Sequence, residues 1–157
     1  MIELYLLRHA DAGDPMAWQG PDAARPLSGK GERQADRLGR FLNHQGFGPD
    51  AIISSPKVRA ARTAEIVALH LGQKVGIDER LADMLDVGTI EAILAEHGDP
   101  QKPVLVGHDP DFSALVAELS GANEIPMRKG AFARIDIERP LAAGGGRLRW
   151  LVPPDLL

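Results

Sequence analysis

Cysteine is missing from all 157 positions, which excludes disulfides, thiolate zinc sites and a cysteine nucleophile, and permits a reducing compartment. Long hydrophobic runs are missing too: none approaches the ~18 residues needed to span a bilayer. The apolar stretch at the N-terminus is too short for a signal-peptide core and is interrupted by Glu3, so a cytoplasmic protein with no membrane partner is expected. Positive charge is not in excess. A formal net charge of -4 speaks against a nucleic-acid partner, which needs a basic face. Internal repeats, low-complexity tracts and linkers are also absent. Hydrophobic residues at 44% and charged residues at 25% fall near the globular average. The length suits one domain over residues 1–157 with a real core.

What is present is an alternation of apolar strand-like runs and helical patterns, which indicates an α/β fold with a largely parallel sheet. Residues 2–7 read as a short buried strand. Asp11 to Pro26 is a loop rich in Gly, Pro and Asp, and loops of that length are often functional. Ser28 is placed as the N-cap of a helix to about Gln45, with Ala35, Leu38, Phe41 and Leu42 at helical spacing and Gly46 as its stop. A short strand at 51–54 leads to Ser55 and Pro56, read as N-cap and first residue of a helix that ends at Gly72. Residues 75–77 form an expected edge strand. A helix from about Thr89 to His97 follows, then a buried strand at 104–107, then a helix capped by Asp109 and continuing to about Ser120. Residues 131–137 and 148–152 read as a strand pair, turned by Gly144, Gly145 and Gly146.

Two of these runs end alike. Arg8-His9-Ala10 follows the first, and His108 follows the run at 103–107. Ligands of open α/β sheets bind beyond the carboxyl ends of the strands, so both histidines belong at that edge. The helix after Ser55 and Pro56 starts there as well, and its N-terminus offers unpaired N–H groups and a positive dipole end to an anion. Arg59 lies in its first turn, where a cation is unfavourable by roughly 0.3–1 kcal/mol unless an anion lies between. Arginine's fork fits phosphate oxygens, and Arg8 is the matching partner beside His9. Two histidines and two arginines so placed suit a phosphoryl group. A neutral His9 would attack phosphorus to form a phosphohistidine, while Arg8, Arg59 and a protonated His108 would hold the equatorial oxygens. The nearby cations would keep His9 neutral, and a carbonyl or carboxylate not identifiable in the sequence would set its tautomer. Arg25 is a further candidate for the pocket, reaching in from the long loop. An alkoxide leaving group needs an acid, for which Asp11, Asp83 and Asp86 are candidates; an imidazole leaving group needs one less.

Other residues have plainer readings. His9 and His108 with Asp11 or Asp109 would make a metal set, but the adjacent arginines would repel a cation, so no metal or cofactor is expected. His44, His70 and His97 fall in the last turns of helices, where the dipole accounts for them. Arg62 reads as a surface or salt-bridge residue, Ser28 as a cap and Trp150 as core. Trp18 lies on the long loop, exposed or over the site.

At these residues the chain resembles the histidine phosphatase superfamily, also called the phosphoglycerate mutase-like or RHG family. Its Arg-His-Gly motif stands here as Arg8-His9-Ala10. The motif around the second arginine stands as Ser54-Ser55-Pro56 through Arg59-Ala60 and Thr63-Ala64, and the second histidine motif as Gly107-His108-Asp109-Pro110. Pro26-Leu27-Ser28-Gly29-Lys30-Gly31 with Gln34-Ala35 resembles the family's helix entry. Within the family, the short length and the run Arg8-His9-Ala10-Asp11-Ala12 are most similar to the SixA-type phosphohistidine phosphatases. The resemblance implies a three-layer α/β/α sandwich that needs no metal, with His9 as nucleophile and Arg8, Arg59 and His108 completing the phosphate pocket. It further implies a substrate such as a phosphorylated phosphotransfer protein, or otherwise a small phosphorylated compound; a phosphate-recognition module without turnover is the non-enzymatic alternative. Ala10 in place of glycine requires a negative φ there. No counterpart of the mutase branch's glutamate acid is visible, which points away from a mutase.

Overall fold

The computed structural model describes Met1–Leu157. Four strands pair in parallel: β1 (Ile2–Arg8), β2 (Ala51–Ser54), β3 (Gly76–Ile77) and β4 (Pro103–Gly107). β5 (Phe132–Ile137) joins β1 in antiparallel fashion, and β6 (Gly146–Val152) joins β5 likewise. The order across the sheet is β3-β2-β4-β1-β5-β6. Four helices connect the strands: α1 (Gly29–His44), α2 (Val58–Leu71), α3 (Val87–Glu96) and α4 (Asp111–Ser120). None of them is long and apolar enough to cross a membrane.

The three layers follow from the period-2 alternation of a strand buried on both faces. Tyr5 and Leu7 of β1, Ile52 of β2 and Val104 and Val106 of β4 pack with Leu38, Leu42, Ala60, Ala64 and Val67 of α1 and α2. The intervening Leu4, Leu6, Ile53 and Leu105 pack on the other face with Ile90, Ile93 and Leu94 of α3 and Phe112, Leu115 and Val116 of α4. Each fully buried aliphatic side chain contributes about 1.5–3 kcal/mol, so these strand runs need no strong intrinsic propensity to hold. Small residues let the helical layer close up. A Cβ on Gly39 of α1 would come within 2.4 Å of the His70 ring on α2.

Several local expectations change. α2 begins at Val58 with Lys57 at its N-cap, two residues later than the proline suggests; Ser55 has another partner, described below. Asp109 does not occupy the cap of α4. Pro110 flanks that helix, and the Asp109 carboxylate accepts from Ser113 N and Ser113 Oγ at 2.9 and 2.6 Å. The long loop carries two 3-10 turns, Pro15–Ala17 and Asp22–Ala24, and a third such turn, Glu79–Ala82, precedes α3. Trp150 is not core: it is 36% exposed, over the flank of the sheet beside Phe132 and Tyr5. β6 is an edge strand, so its outer positions meet solvent. Arg62 does pair at the surface, with Glu32, and His70 pairs with Asp36 across α1 and α2.

Candidate active site

Strand register builds the site. β1 and β4 are neighbours with Arg8 opposite Gly107, so His9 and His108 leave the sheet side by side, their ring centroids 5.2 Å apart. The His9 amide donates to the Gly107 carbonyl at 3.0 Å, which closes the ladder at that point. β2 flanks β4 on its other side, and Ser55 N donates to Val106 O at 2.9 Å. The first turn of α2 starts beside them, and its buried Arg59 acts on the charge of both histidines. Gly107 is required here because a Cβ would meet the Phe112 ring at 2.6 Å.

The partner that sets the tautomer of His9 is the carbonyl of the next residue. His9 Nδ1 lies 2.7 Å from Ala10 O. A carbonyl only accepts, so Nδ1 carries the proton and Nε2 keeps its lone pair. Ala10 N in turn donates to Thr63 Oγ1 at 3.1 Å, and Thr63 Oγ1 donates to Arg59 O at 2.7 Å. That chain ties the His9 loop to α2 and fixes the direction of the Ala10 carbonyl. Ala10 does not have a positive φ, so its methyl group is accommodated. The His9 pKa is pushed down to about 4, chiefly by burial, with Arg59, Arg8 and Arg25 adding to it against the Ala10 carbonyl. Neutrality was expected from the cations; burial is the larger cause.

Both arginines are steered by their outer nitrogens. Arg8 Nη1 donates to Met127 O at 2.7 Å and lies 3.3 Å from Asp109 Oδ2. Arg59 Nη1 and Nη2 donate to Asp22 O and Asp22 Oδ2, each at 2.8 Å. Arg25 is also buried in the wall of the site. Its Nη1 donates to Ala12 O at 2.7 Å and its Nε to Asp22 Oδ1 at 3.2 Å. The buried side-chain nitrogens and oxygens left without a hydrogen-bond partner are Arg8 Nε, Arg59 Nε and His108 Nδ1. Buried polar groups are nearly always paired, and here the three exceptions fall on three of the four residues singled out by sequence. They belong to residues close to His9: the His108 ring lies 5.2 Å from it, and Arg59 and Arg8 both act on its charge.

His108 corrects one expectation. Its pKa is pushed down to about 3 by burial first, then by His9, Lys57 and Arg59, with Asp22 opposing. The ring is therefore neutral near pH 7 in the free protein, not protonated. Its Nε2 lies 2.7 Å from Ser55 Oγ.

The carboxyl groups do not supply an evident acid. Asp11 is held below the usual carboxylate range by its hydrogen bond from Ser28, with Gly13 N and Lys129 assisting against burial. It is a carboxylate that locks the loop to α1, not a proton donor. Asp83 is exposed and its side chain makes no hydrogen bond, and Asp86 caps α3 by accepting from Thr89 N at 2.7 Å. Asp22 was not foreseen. It is held low by the hydrogen bond from Arg59, and the only hint in the sequence was its place three residues before Arg25. The roles of Ser55 and Thr63 were also missed, although both stand in the quoted motif around Arg59. No three His, Asp or Glu side chains come together as a metal site.

Residues 4–111 match the family model described as histidine phosphatase superfamily (branch 1). The chain belongs to the histidine phosphatase superfamily. Among curated relatives, the phosphohistidine phosphatase SixA of Escherichia coli (strain K12) is 29% identical over 98% of this chain and 94% of its own. Among solved structures, the protein histidine phosphatase SixA complexed with tungstate superposes with a TM-score of 0.85 at 24% identity, over 99% of both chains. A putative alpha-ribazole-5'-P phosphatase from Escherichia coli superposes with a TM-score of 0.74 at 22% identity, over 98% of this chain and 97% of that one. The relatives of this fold carry names for different phosphate compounds, phosphohistidine and alpha-ribazole-5'-P among them.

Proposed function

We propose that this histidine phosphatase removes the phosphoryl group from phosphohistidine on a protein, through a phosphorylated His9. His9 Nε2 attacks phosphorus as the P–N bond to the substrate imidazole breaks. That imidazole leaves readily once its far nitrogen is protonated. Arg8 Nε, Arg59 Nε and His108 Nδ1 stabilise the equatorial oxygens by donating to them. Water then attacks phosphorus, the P–Nε2 bond breaks, and phosphate leaves with His9 restored. The observation that supports phosphoryl chemistry is the set of three unpartnered buried nitrogens on residues beside His9, whose tautomer is already set. The lack of a poised carboxylic acid favours an imidazole over an alkoxide leaving group, and the relative named for phosphohistidine spans nearly the whole chain.

The test compares phosphate release from a phosphohistidine-bearing phosphotransfer domain with release from an alkyl phosphomonoester, for wild type and His9→Ala. Release from the protein should be much faster than from the ester. The variant should lose about a thousandfold or more on both. Turnover of the ester with phosphohistidine untouched would move the protein to small phosphate esters, a reading favoured by its likeness to the alpha-ribazole-5'-P phosphatase. Binding of phosphate without turnover of either would leave a recognition module.

A further inference from the structure

His108 lies between two groups that make different demands on it. Its Nε2 meets Ser55 Oγ at 2.7 Å, and its Nδ1 is buried without a partner. Ser55 is fully buried, with a relative exposure of 0%. It follows β2 directly and is held by its own amide to Val106 O, so the β2–β4 register sets its distance from His108. Ser55 Oγ also accepts the Lys57 amide at 3.2 Å.

A serine hydroxyl has one proton to give and two lone pairs to receive with. Suppose His108 carried its proton on Nε2. Ser55 Oγ would then accept from both Lys57 N and His108 Nε2, and its own O–H would be buried with nothing to donate to. His108 Nδ1 would be a buried bare lone pair with no donor, and a phosphoryl oxygen beside it would be repelled. Suppose instead that the proton is on Nδ1. Ser55 O–H then donates to Nε2, Lys57 N–H is accepted, and every group on that side is paired. The one group left over is an N–H donor, buried within the site and available to a phosphoryl oxygen. An unpaired buried donor or acceptor is costly, so the tautomer that leaves one such group prevails over the tautomer that leaves two.

We propose that Ser55 is a positioning residue that holds His108 as the Nδ1–H tautomer, so that the second histidine serves the phosphoryl group as a neutral hydrogen-bond donor through Nδ1. This rests on the phosphatase reading for its purpose, but not for its geometry. The charged and titratable groups that act on the ring are His9 beyond β1, Lys57 at the N-cap of α2, Arg59 of α2 and Asp22 of the long loop. Three of these four are basic, so they disfavour a second proton on the ring.

The tautomer is read directly by long-range proton–nitrogen NMR of the nitrogen-labelled full chain at neutral pH, with and without inorganic phosphate. In the wild type, His108 Nδ1 should give the pyrrole-type signal and Nε2 the pyridine-type signal. Ser55→Ala should give a mixture or the reverse, and Ser55→Thr, which keeps the hydroxyl, should restore the wild-type pattern. With turnover as readout, Ser55→Ala should lower kcat by about 10- to 100-fold with a smaller change in KM, because the donor matters most as charge develops, and Ser55→Thr should recover it. A pyrrole-type Nε2 in the wild type, or an unchanged tautomer in a folded Ser55→Ala, would overturn the proposal. The predicted tautomer in a protein that turns over no phosphate compound would overturn the phosphatase reading alone.

Discussion

At the scale of single residues, the site holds a His9 tautomer set by the Ala10 carbonyl and three buried nitrogens without partners. Burial keeps His9 neutral down to about pH 4, so the acid limb of kcat/KM, which reports the free enzyme, should lie near there. With a substrate whose own ionisation is constant over the range, activity should stay level from about pH 8 to pH 5 and fall below. A limb near 6.5, where an unperturbed histidine titrates, would mean that burial does not govern His9. Arg59's Nη nitrogens grip Asp22 while its Nε is buried without a partner. A lysine offers a point charge and no fork. Arg59→Lys should therefore lose about 10- to 100-fold in kcat/KM with the charge unchanged, as steady-state kinetics would show. Retention of full activity would reduce Arg59 to a charge.

At the scale of elements, the site depends on how the long loop is fastened to α1. Asp11 accepts Ser28 Oγ at 2.6 Å, Asp11 N donates to Gln34 Oε1 at 2.9 Å, and Ser28 N donates to Asp11 O at 3.0 Å. Gly31 allows this contact, since a Cβ there would lie 1.9 Å from Asp11 O, a backbone atom that cannot step aside. Gly31→Ala should cost about 3 kcal/mol in denaturant unfolding and disturb the His9 loop. Gly48→Ala, where a Cβ meets nothing within 4 Å, should stay within about 0.5 kcal/mol. Equal effects at the two positions would refute the close-approach argument. The connection from β2 to α2 shows the other side of element logic. Proline was expected to open the helix, but the chain spends Ser55 on His108 and starts two residues later, with Arg59 still in the first turn.

At the scale of the whole molecule, the two buried histidines set a stability gradient with pH. Their folded pKa values, about 4 and about 3, lie below the ordinary 6.5. The unfolded chain therefore binds protons first as pH falls, and stability drops below about 6.5 until the folded values are reached. By pH 5 each histidine removes about 2 kcal/mol. Asp78, held at about 2 mainly by Arg80, adds in the same direction lower down: its contribution is present above its unfolded value near 3.8 and is lost as pH falls through about 2. Thermal unfolding from pH 8 to pH 4 should show this slope, and a folded His108→Gln should flatten it by about half between pH 6.5 and pH 5. No change of slope in that variant would mean that His108 is not desolvated.

The sequence by itself determined the order of elements and the four residues now gathered at the sheet's carboxyl edge. The reason is local: alternation and helical period are properties of neighbouring residues, and strands of this kind carry their ligands at their ends. His9, Arg8, Arg59 and His108 were legible because each stands next to a strand end or a helix start. Only the tertiary structure decided what holds them. The Ala10 carbonyl on His9, Ser55 on His108, Asp22 on Arg59 and Met127 on Arg8 are pairings whose partners, Ala10 apart, lie 37 to 119 residues away. They depend on the β1–β4 and β2–β4 registers and on where the long loop lands. The same holds for protonation: His108 reads as a cation among phosphate ligands until its burial is known, and burial is a property of the folded whole.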